Sequence, residues 1–335
     1  MSKVLNWGIL SSAKIARKQV VPAMQQSELL KVTAIASRSQ DKAQAVADDL
    51  GINKAYASYE QLLGDPDIDV IYNPLPNHLH VPMTIAALQA GKHVLCEKPL
   101  ALTADEAEQI VTASKLSGKF VEEAFMVRSN PQWQWLREQV RKKSIGELRA
   151  IQGAFSYFND DADNIRNQAD IGGGGIYDIG CYLINTSRFI TGEEPCRIAA
   201  VLDTDPLMKT DRLASAIMVF PSGVQMSWFC STQLVPYQRV SFLGTTGRLE
   251  VQIPFNAPND SENVVLIDDG TDLSGAKIQR KTFPVSDQYQ LQADNFCAAI
   301  NQGTVQSNPL EDSIANMRVI DAVFKAAKTG QWVEL

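Results

Sequence analysis

The chain has 335 residues, 45% of them hydrophobic and 21% charged, with 31 basic against 38 acidic side chains for a formal net charge of −7. That length exceeds one ordinary core and fits about two domains. The acidic balance excludes sequence-independent nucleic-acid binding, which needs a basic face, and no run of ~18 uncharged apolar residues is present to span a membrane.

Residues 1–10 hold one lysine and a short apolar run, without the h-region or cleavage site of a signal peptide. The five cysteines, Cys96, Cys181, Cys196, Cys230 and Cys297, are scattered and form no C-x-x-C pair. This argues against a disulfide framework or a zinc site and suits a reducing cytoplasm, where the protein is expected. His78, His80 and His93 lack the spacing and companion ligands of a metal centre, so no metal is expected.

Over the first 125 residues, strands and helices alternate. Residues 4–10 are an apolar run that reads as a buried strand, and 14–26 follow with helical spacing. Residues 31–37 make a second strand, and 41–50 an Ala-rich helix stopped by Gly51. A weak third strand near 55–56, a short helix at 59–63, a strand at 70–73 and a helix at 81–90 closed by Gly91 come next. A strand at 93–96, a helix at 103–117 closed by Gly118 and a strand at 120–122 complete the series. Such alternation with short loops predicts an α/β fold with a parallel, doubly wound sheet of the Rossmann type. Ligand-binding loops then lie along the carboxyl ends of its strands.

Beyond residue 126 the texture changes. A helix is predicted at 131–141, a strand at 150–158, an irregular polar stretch, a glycine run Gly172–Gly173–Gly174–Gly175, and a helix over about 175–190. Strand-like runs follow at 197–202, 214–220, 223–230, 239–244, 247–251 and 263–267, with hairpin turns at 221–223 and 245–247. Helices at 289–301 and 310–328 close the chain. The expected division is therefore 1–125 for a dinucleotide-binding domain and 126–335 for an α+β domain with a mostly antiparallel sheet.

The first strand runs into Ser11-Ser12-Ala13-Lys14-Ile15-Ala16. A Rossmann turn wants G-x-G-x-x-G/A for a tight turn, close approach of backbone to pyrophosphate, and close helix packing. Here the three positions read Ser11, Ala13 and Ala16, small but without the turn glycines, and an ordinary strand-to-helix turn fits these residues equally well. The second strand ends in Ser37-Arg38, with no acid until Asp41. An acid there would accept from a ribose 2′-OH and favour NAD, whereas a hydroxyl and a guanidinium suit a 2′-phosphate, so NADP is expected over NAD.

Two further loops share that edge. Pro74, Leu75 and Asn77 follow the fourth strand, where prolines stiffen a loop on the path of the cofactor ribose and nicotinamide. Asn77 is also a plausible helix cap, and His80, just inside the helix, faces either substrate or the surface. Glu97 and Lys98, before Pro99, follow the fifth strand. A lysine there suits a cleft, where it would hold a substrate oxygen and lower a neighbouring acid's pKa, although a surface Glu-Lys pair is the commoner reason for such spacing.

Together the S-S-A-K-I-A turn, A-S-R-S, N-P-L-P-N-H-L-H, E-K-P, E-A-F-M-V-R-S-N-P and G-G-G-G-I-Y-D-I-G-C-Y resemble the Gfo/Idh/MocA oxidoreductase family, in the expected order and over nearly the whole chain. The resemblance implies that Lys98 is the active-site lysine, that Asp178 lies in the substrate site, and that Tyr182 stands at the acid/base position where many relatives carry His. The tyrosine form is similar to the branch holding dimeric dihydrodiol dehydrogenase, NADP-dependent xylose dehydrogenase and glucose-fructose oxidoreductase. Val127 and Asn130 stand where relatives often have Tyr and His, which bears on the substrate. Asp178 and Tyr182 are also spaced to share one helix face, and the glycines before them permit close approach of another backbone. Arg128 is a further substrate candidate, as are Asn164 and Arg166, for which a solvated loop fits equally well.

The implied chemistry is hydride transfer between nicotinamide and a carbon bearing a hydroxyl or carbonyl. Tyr182 would exchange the hydroxyl proton, Lys98 would stabilise its phenolate, and Asp178 would hold the sugar or the lysine. The expected substrate is a sugar or polyol, with a trans-dihydrodiol as an alternative, and the expected assembly a homodimer. Two rivals are a non-catalytic NADP-binding sensor of the same fold and an enzyme that keeps NAD bound through an isomerisation or hydrolysis.

Overall fold

The computed structural model describes residues 3–304 and 308–335. The chain divides into two compact units, Met1–Ser129 with Asp287–Met317, and Asn130–Ser286 with Arg318–Leu335.

In the first unit, β1 (Leu5–Leu10), β2 (Leu30–Ala36), β3 (Lys54–Tyr56), β4 (Val70–Asn73), β5 (His93–Cys96) and β6 (Val121–Glu123) form one parallel sheet in the order β3-β2-β1-β4-β5-β6. This is the doubly wound order of dinucleotide-binding sheets, with the switch point between β1 and β4. All four residues of β4 are buried, as expected where helices cover both faces. The connecting helices are α1 (Val21–Met24), α2 (Gln40–Leu50), α3 (Tyr59–Leu63), α4 (His80–Gln89) and α5 (Ala104–Ser117). Ser39, Ser58 and Thr103 cap α2, α3 and α5 by accepting from backbone N–H groups of the first turn. Gly51 and Gly118 end α2 and α5 in the left-handed conformation.

The helix expected over 14–26 is irregular: a π-helical turn (Ala16–Val20) precedes α1. The expected division at 125/126 also needs correction. Helix α8 (Gln288–Gln302) brings Ala293, Phe296 and Cys297 into one core with Trp7, Ile9, Ile35 and Tyr72 of the sheet. The Trp7 and Phe296 rings meet edge to face at 6.0 Å. Residues 287–317 therefore belong with the Rossmann unit, and the unit boundary falls inside α9 (Leu310–Thr329).

The second unit opens with α6 (Pro131–Arg141), capped by Asn130. Its nine-stranded sheet is built from β7 (Leu148–Phe158), β8 (Arg197–Thr204), β9 (Asp211–Val219), β10 (Gln225–Ser231), β11 (Gln233–Gly244), β12 (Arg248–Val251), β13 (Asn263–Asp268), β14 (Gln279–Phe283) and β15 (Val333–Glu334). The order is β14-β13-β12-β11-β7-β10-β9-β8-β15, antiparallel except for β7 with β10. Alternation along β9 and β10 turns Ala216, Met218, Met226 and Trp228 inward. The inner face carries α7 (Cys181–Thr191), whose Leu183 side chain closes against Gly153 of β7.

The expected hairpin turns are present, with Gly223 N donating to Phe220 O and Gly244 N to Gly247 O. Strands β14 and β15 have no sequence signal: four of the five β14 residues are exposed, and β15 has two residues. Strand β11 starts earlier than its pattern indicates, because its register shifts between Gln233 and Tyr237, around Pro236.

The buried Phe296 yields a test of the discontinuous first unit. Phe296→Ala should cost about 3–5 kcal/mol, the usual range for emptying a core aromatic site. Chemical denaturation followed by tryptophan fluorescence checks this, and a loss within error of zero would refute the packing of 287–317 on the sheet.

Candidate active site

In the first unit the candidate residues lie along the carboxyl edge of the parallel sheet. Beyond β1 the backbone of Ser11 turns left-handed, with φ of 78°. This is why glycine is the usual residue at such a turn, and why Ser11 needs local support. Ser11 N donates to Ala36 O of β2 at 2.8 Å, and Ser11 Oγ accepts from Ala13 N at 3.2 Å. Ala13 and Ile15 pack partly against the core, while Ser12 is half-buried and Lys14 exposed. At the end of β2, Ser37 is buried, its N–H donating to Tyr56 O at 3.1 Å, and Arg38 is exposed.

The loops after β4 and β5 are bound to each other. Glu97 N donates to Asn73 O at 3.0 Å, and the Tyr72 hydroxyl donates to Glu97 Oε1 at 2.6 Å. The buried Asn73 amide donates to His80 O and Thr84 Oγ1, both at 3.2 Å. His80 corrects the expectation that it faces substrate or solvent. It is 1% exposed, with Nδ1 2.7 Å from Pro99 O and Nε2 2.7 Å from Leu75 O. Burial outweighs these two carbonyls and pushes its pKa down to about 4. Pro74 and Leu75 are buried and Asn77 half-buried. Helix α4 continues from a 3-10 turn (Asn77–Leu79) in which Asn77 O accepts from His80 N, and its N-cap residue is Leu79.

Lys98 follows, half-buried, and the next bond, Lys98–Pro99, is cis. Leu100 N donates to Glu123 Oε1 at 2.8 Å. Glu123 is fully buried at the end of β6, and that burial pushes its carboxyl up to about 7. Arg128, expected at the substrate, is 4% exposed and paired with Asp312 at 2.6 Å, a structural role within the first unit.

In the second unit a π-helical turn (Ile176–Gly180) precedes α7 and carries Asp178. Arg166 Nε donates to both Asp178 oxygens at 3.1 Å, and the Tyr157 hydroxyl donates to Asp178 Oδ2 at 2.5 Å. Burial, and then the Asp178 charge, drive the Tyr157 phenol well above its usual range, so it stays a neutral donor. Tyr182, 7% exposed, lies against Phe155 and Phe255, with ring centroids at 6.1 and 5.5 Å. Asn164 accepts from Arg166 N at 3.1 Å and caps a local turn. Asn130 and Val127 are fully buried, and Asn130 accepts from Gln132 N at 3.0 Å as the α6 cap.

The glycine run does allow close approach. Gly174 has φ of 121°, and a Cβ there would come within 2.0 Å of Asp211 Oδ1. Asp211 Oδ2 accepts from Ile176 N at 2.7 Å, yet burial pushes this carboxyl up to about 7. Asp211, Tyr157 and Glu123 were not among the residues expected from the sequence. Asp211 and Tyr157 come from strands whose local pattern gives no sign of the helix end they serve, and Glu123 is visible only as the first letter of E-A-F.

A 3-2-1-4-5-6 parallel sheet followed by an open, largely antiparallel sheet defines a two-unit dehydrogenase fold. Residues 5–125 match the model described as the oxidoreductase family, NAD-binding Rossmann fold, of Gfo/Idh/MocA, and residues 133–250 match the C-terminal domain of the same family. An uncharacterized oxidoreductase from Rhizobium meliloti is 42% identical over 98% of each chain. D-xylose 1-dehydrogenase (NADP(+)) 2 from Haloferax volcanii is 37% identical over 98% of this chain and 99% of its own. A 3-ketoreductase from Actinomadura kijaniata, in complex with NADP and TDP-benzene, superimposes with a TM-score of 0.91 at 30% identity, over 97% of this chain and 98% of its own. That ketoreductase has also been crystallised with one tyrosine replaced by phenylalanine and with one lysine replaced by alanine. The chain belongs to the Gfo/Idh/MocA family and is an NAD(P)-dependent oxidoreductase.

Asp211 gives the second unit a specific pH signature. A carboxyl raised in the fold from 3.8 to about 7 contributes stability that is complete below ~4 and lost as pH rises through about 7. Between pH 5 and 8 the wild type should lose up to a few kcal/mol relative to Asp211→Asn. Denaturation curves of both proteins across that range decide it, and parallel pH profiles would contradict a buried, protonated Asp211.

Proposed function

We propose that this chain is an NADP-dependent oxidoreductase of sugars or polyols, with Tyr182 as acid/base assisted by Lys98 and with Asp178 orienting the substrate. The observation that carries this reading is the anchoring of Lys98. The backbone on both sides of this lysine is pinned by buried hydrogen bonds, while its side chain stays half-exposed at the carboxyl edge of a Rossmann sheet. A surface Glu-Lys pair needs no such anchoring.

The cofactor-binding residues fit the nucleotide. The left-handed Ser11 turn brings backbone close to a pyrophosphate, and Ser37 and Arg38 offer a hydroxyl and a guanidinium, with no acid, to a 2′-phosphate. The loop of Pro74, Leu75 and Asn77 and the segment Glu97–Lys98 follow the adjacent strands β4 and β5 on the same edge, where they would flank the nicotinamide. When bound, the nicotinamide accepts or supplies the hydride at its C4.

The residues of the chain supply the proton path. A phenol with an ordinary pKa of ~10 is a poor base at neutral pH, so Tyr182 needs a cation such as Lys98 to favour its phenolate. Tyr182 then takes the proton from the substrate hydroxyl as the carbon loses hydride, and returns it in reduction. Phe155 and Phe255 hold the phenol ring and exclude water from its flank. Asp178, fixed by Arg166 and Tyr157, presents a charged acceptor suited to sugar hydroxyls. The aromatic flank also suits a trans-dihydrodiol, the second substrate class.

Turnover of an aldose and polyol panel with NADP and with NAD tests the whole. D-Xylose and D-glucose should reduce NADP faster than NAD, with the preference lost in Arg38→Ala. Tyr182→Phe should lower kcat by at least about 10²-fold with NADPH affinity intact. Full activity in Tyr182→Phe would remove the acid/base role, and NADPH binding without turnover of any sugar, keto-sugar or dihydrodiol would favour the sensor reading.

The outer face of the second-unit sheet supports a homodimer. Val201, Ile217 and Tyr237 stand exposed there on one face, an apolar surface open to a second copy. The free cysteines accord with a reducing cytoplasm. Sedimentation should give twice the chain mass for the wild type and a single-chain mass for Ile217→Lys; a monomeric wild type would refute the dimer.

A further inference from the structure

We propose that His80 and Glu123 are positioning residues that set the backbone of the Lys98 segment, gripping it from opposite sides. This rests on the reading of Lys98 as the catalytic lysine. Neither side chain has another evident purpose. His80 is 1% exposed and Glu123 0% exposed, and each directs a polar atom at the main chain one or two residues beyond Lys98. The His80 ring meets Pro99 O at 2.7 Å, and the Glu123 carboxylate accepts from Leu100 N at 2.8 Å.

Each grip is itself held. His80 also meets Leu75 O at 2.7 Å, so the ring joins the loop after β4 to the loop after β5. Nearby in the same unit, Arg128 and Asp312 form an ion pair at 2.6 Å. Asn308 donates to Glu123 O at 3.2 Å, fixing the main chain from the same direction. Asn308 stands just before the helix that begins at Leu310, so the returning segment of the first unit holds the Glu123 main chain as well as the core.

An apolar side chain in either place would fill the core more cheaply, because a buried ionisable group costs free energy unless it is bonded. What an apolar residue does not supply is direction. A misplacement of about 1 Å at a reacting group can cost on the order of 10²-fold in rate.

Five variants test this: Glu123→Ala, Glu123→Gln, His80→Ala, Lys98→Met and the Lys98→Met/Glu123→Ala double. NADPH affinity is read by fluorescence, turnover with NADP and D-xylose, and amide hydrogen exchange of the 97–101 segment by mass spectrometry with NADPH bound. The alanine variants should lower kcat at least about tenfold, leave NADPH affinity within about threefold and speed exchange at Leu100. Glu123→Gln keeps an acceptor oxygen and should recover most of both losses. In the Lys98→Met background, adding Glu123→Ala should lower kcat little further, because the pair acts as one unit. Unchanged exchange in both alanine variants, or a glutamine variant as impaired as alanine, overturns the proposal whether or not D-xylose is turned over. Undiminished activity in Lys98→Met instead overturns the catalytic reading, and the exchange data still decide the positioning.

Discussion

A single main-chain hydrogen bond, Glu97 N to Asn73 O, joins the loops after β4 and β5 and fixes the edge from which the chemistry is organised. It extends the parallel ladder one step past the strands, where Asn73 pairs with Cys96. Around it the polar groups close on one another: Tyr72 on Glu97, Asn73 on Thr84, His80 on Leu75 and Pro99. Buried polar groups must find partners, and here they find them in the loops that a dinucleotide would touch.

Burial drives four ionisable groups in opposite directions. Glu123 and Asp211 are pushed up toward neutrality, while His80 and His93 are pushed down toward the same end. The acids make the fold more stable as pH falls, and the histidines make it more stable as pH rises. Their contributions oppose each other across the mildly acidic range. In each case burial favours the neutral form, the inexpensive state for a titratable side chain out of water.

The two π-helical turns have a common setting. Ala16–Val20 follows the β1 turn, and Ile176–Gly180 carries Asp178 into α7. Such turns recur at functional sites because an extra residue per turn re-aims side chains without ending the helix. In the second, the re-aimed Asp178 meets both Arg166 and Tyr157, while Tyr182 one turn later joins the Phe155–Phe255 cluster.

Strand and helix order through β6 was legible in the sequence because each element carries its own periodicity and its own stop signal, as at Gly51 and Gly118. The positions of Arg38, Lys98 and Tyr182 at element ends were legible for the same reason. Helix α8 reads as an ordinary amphipathic helix wherever it packs, so its place beside Trp7 was not. For His80, Arg128 and Asn164 the sequence left the direction of the side chain open, because polar side chains near a site share one composition whether they touch substrate or brace it. The sequence by itself determined which segments become strands and helices and which residue types line the strand ends, since those depend on neighbours a few positions away. Only the tertiary structure decided that Glu123, His80, Asp211 and Tyr157 are supports, because each finds its partner far along the chain or across a loop closure, where local pattern carries no information about direction.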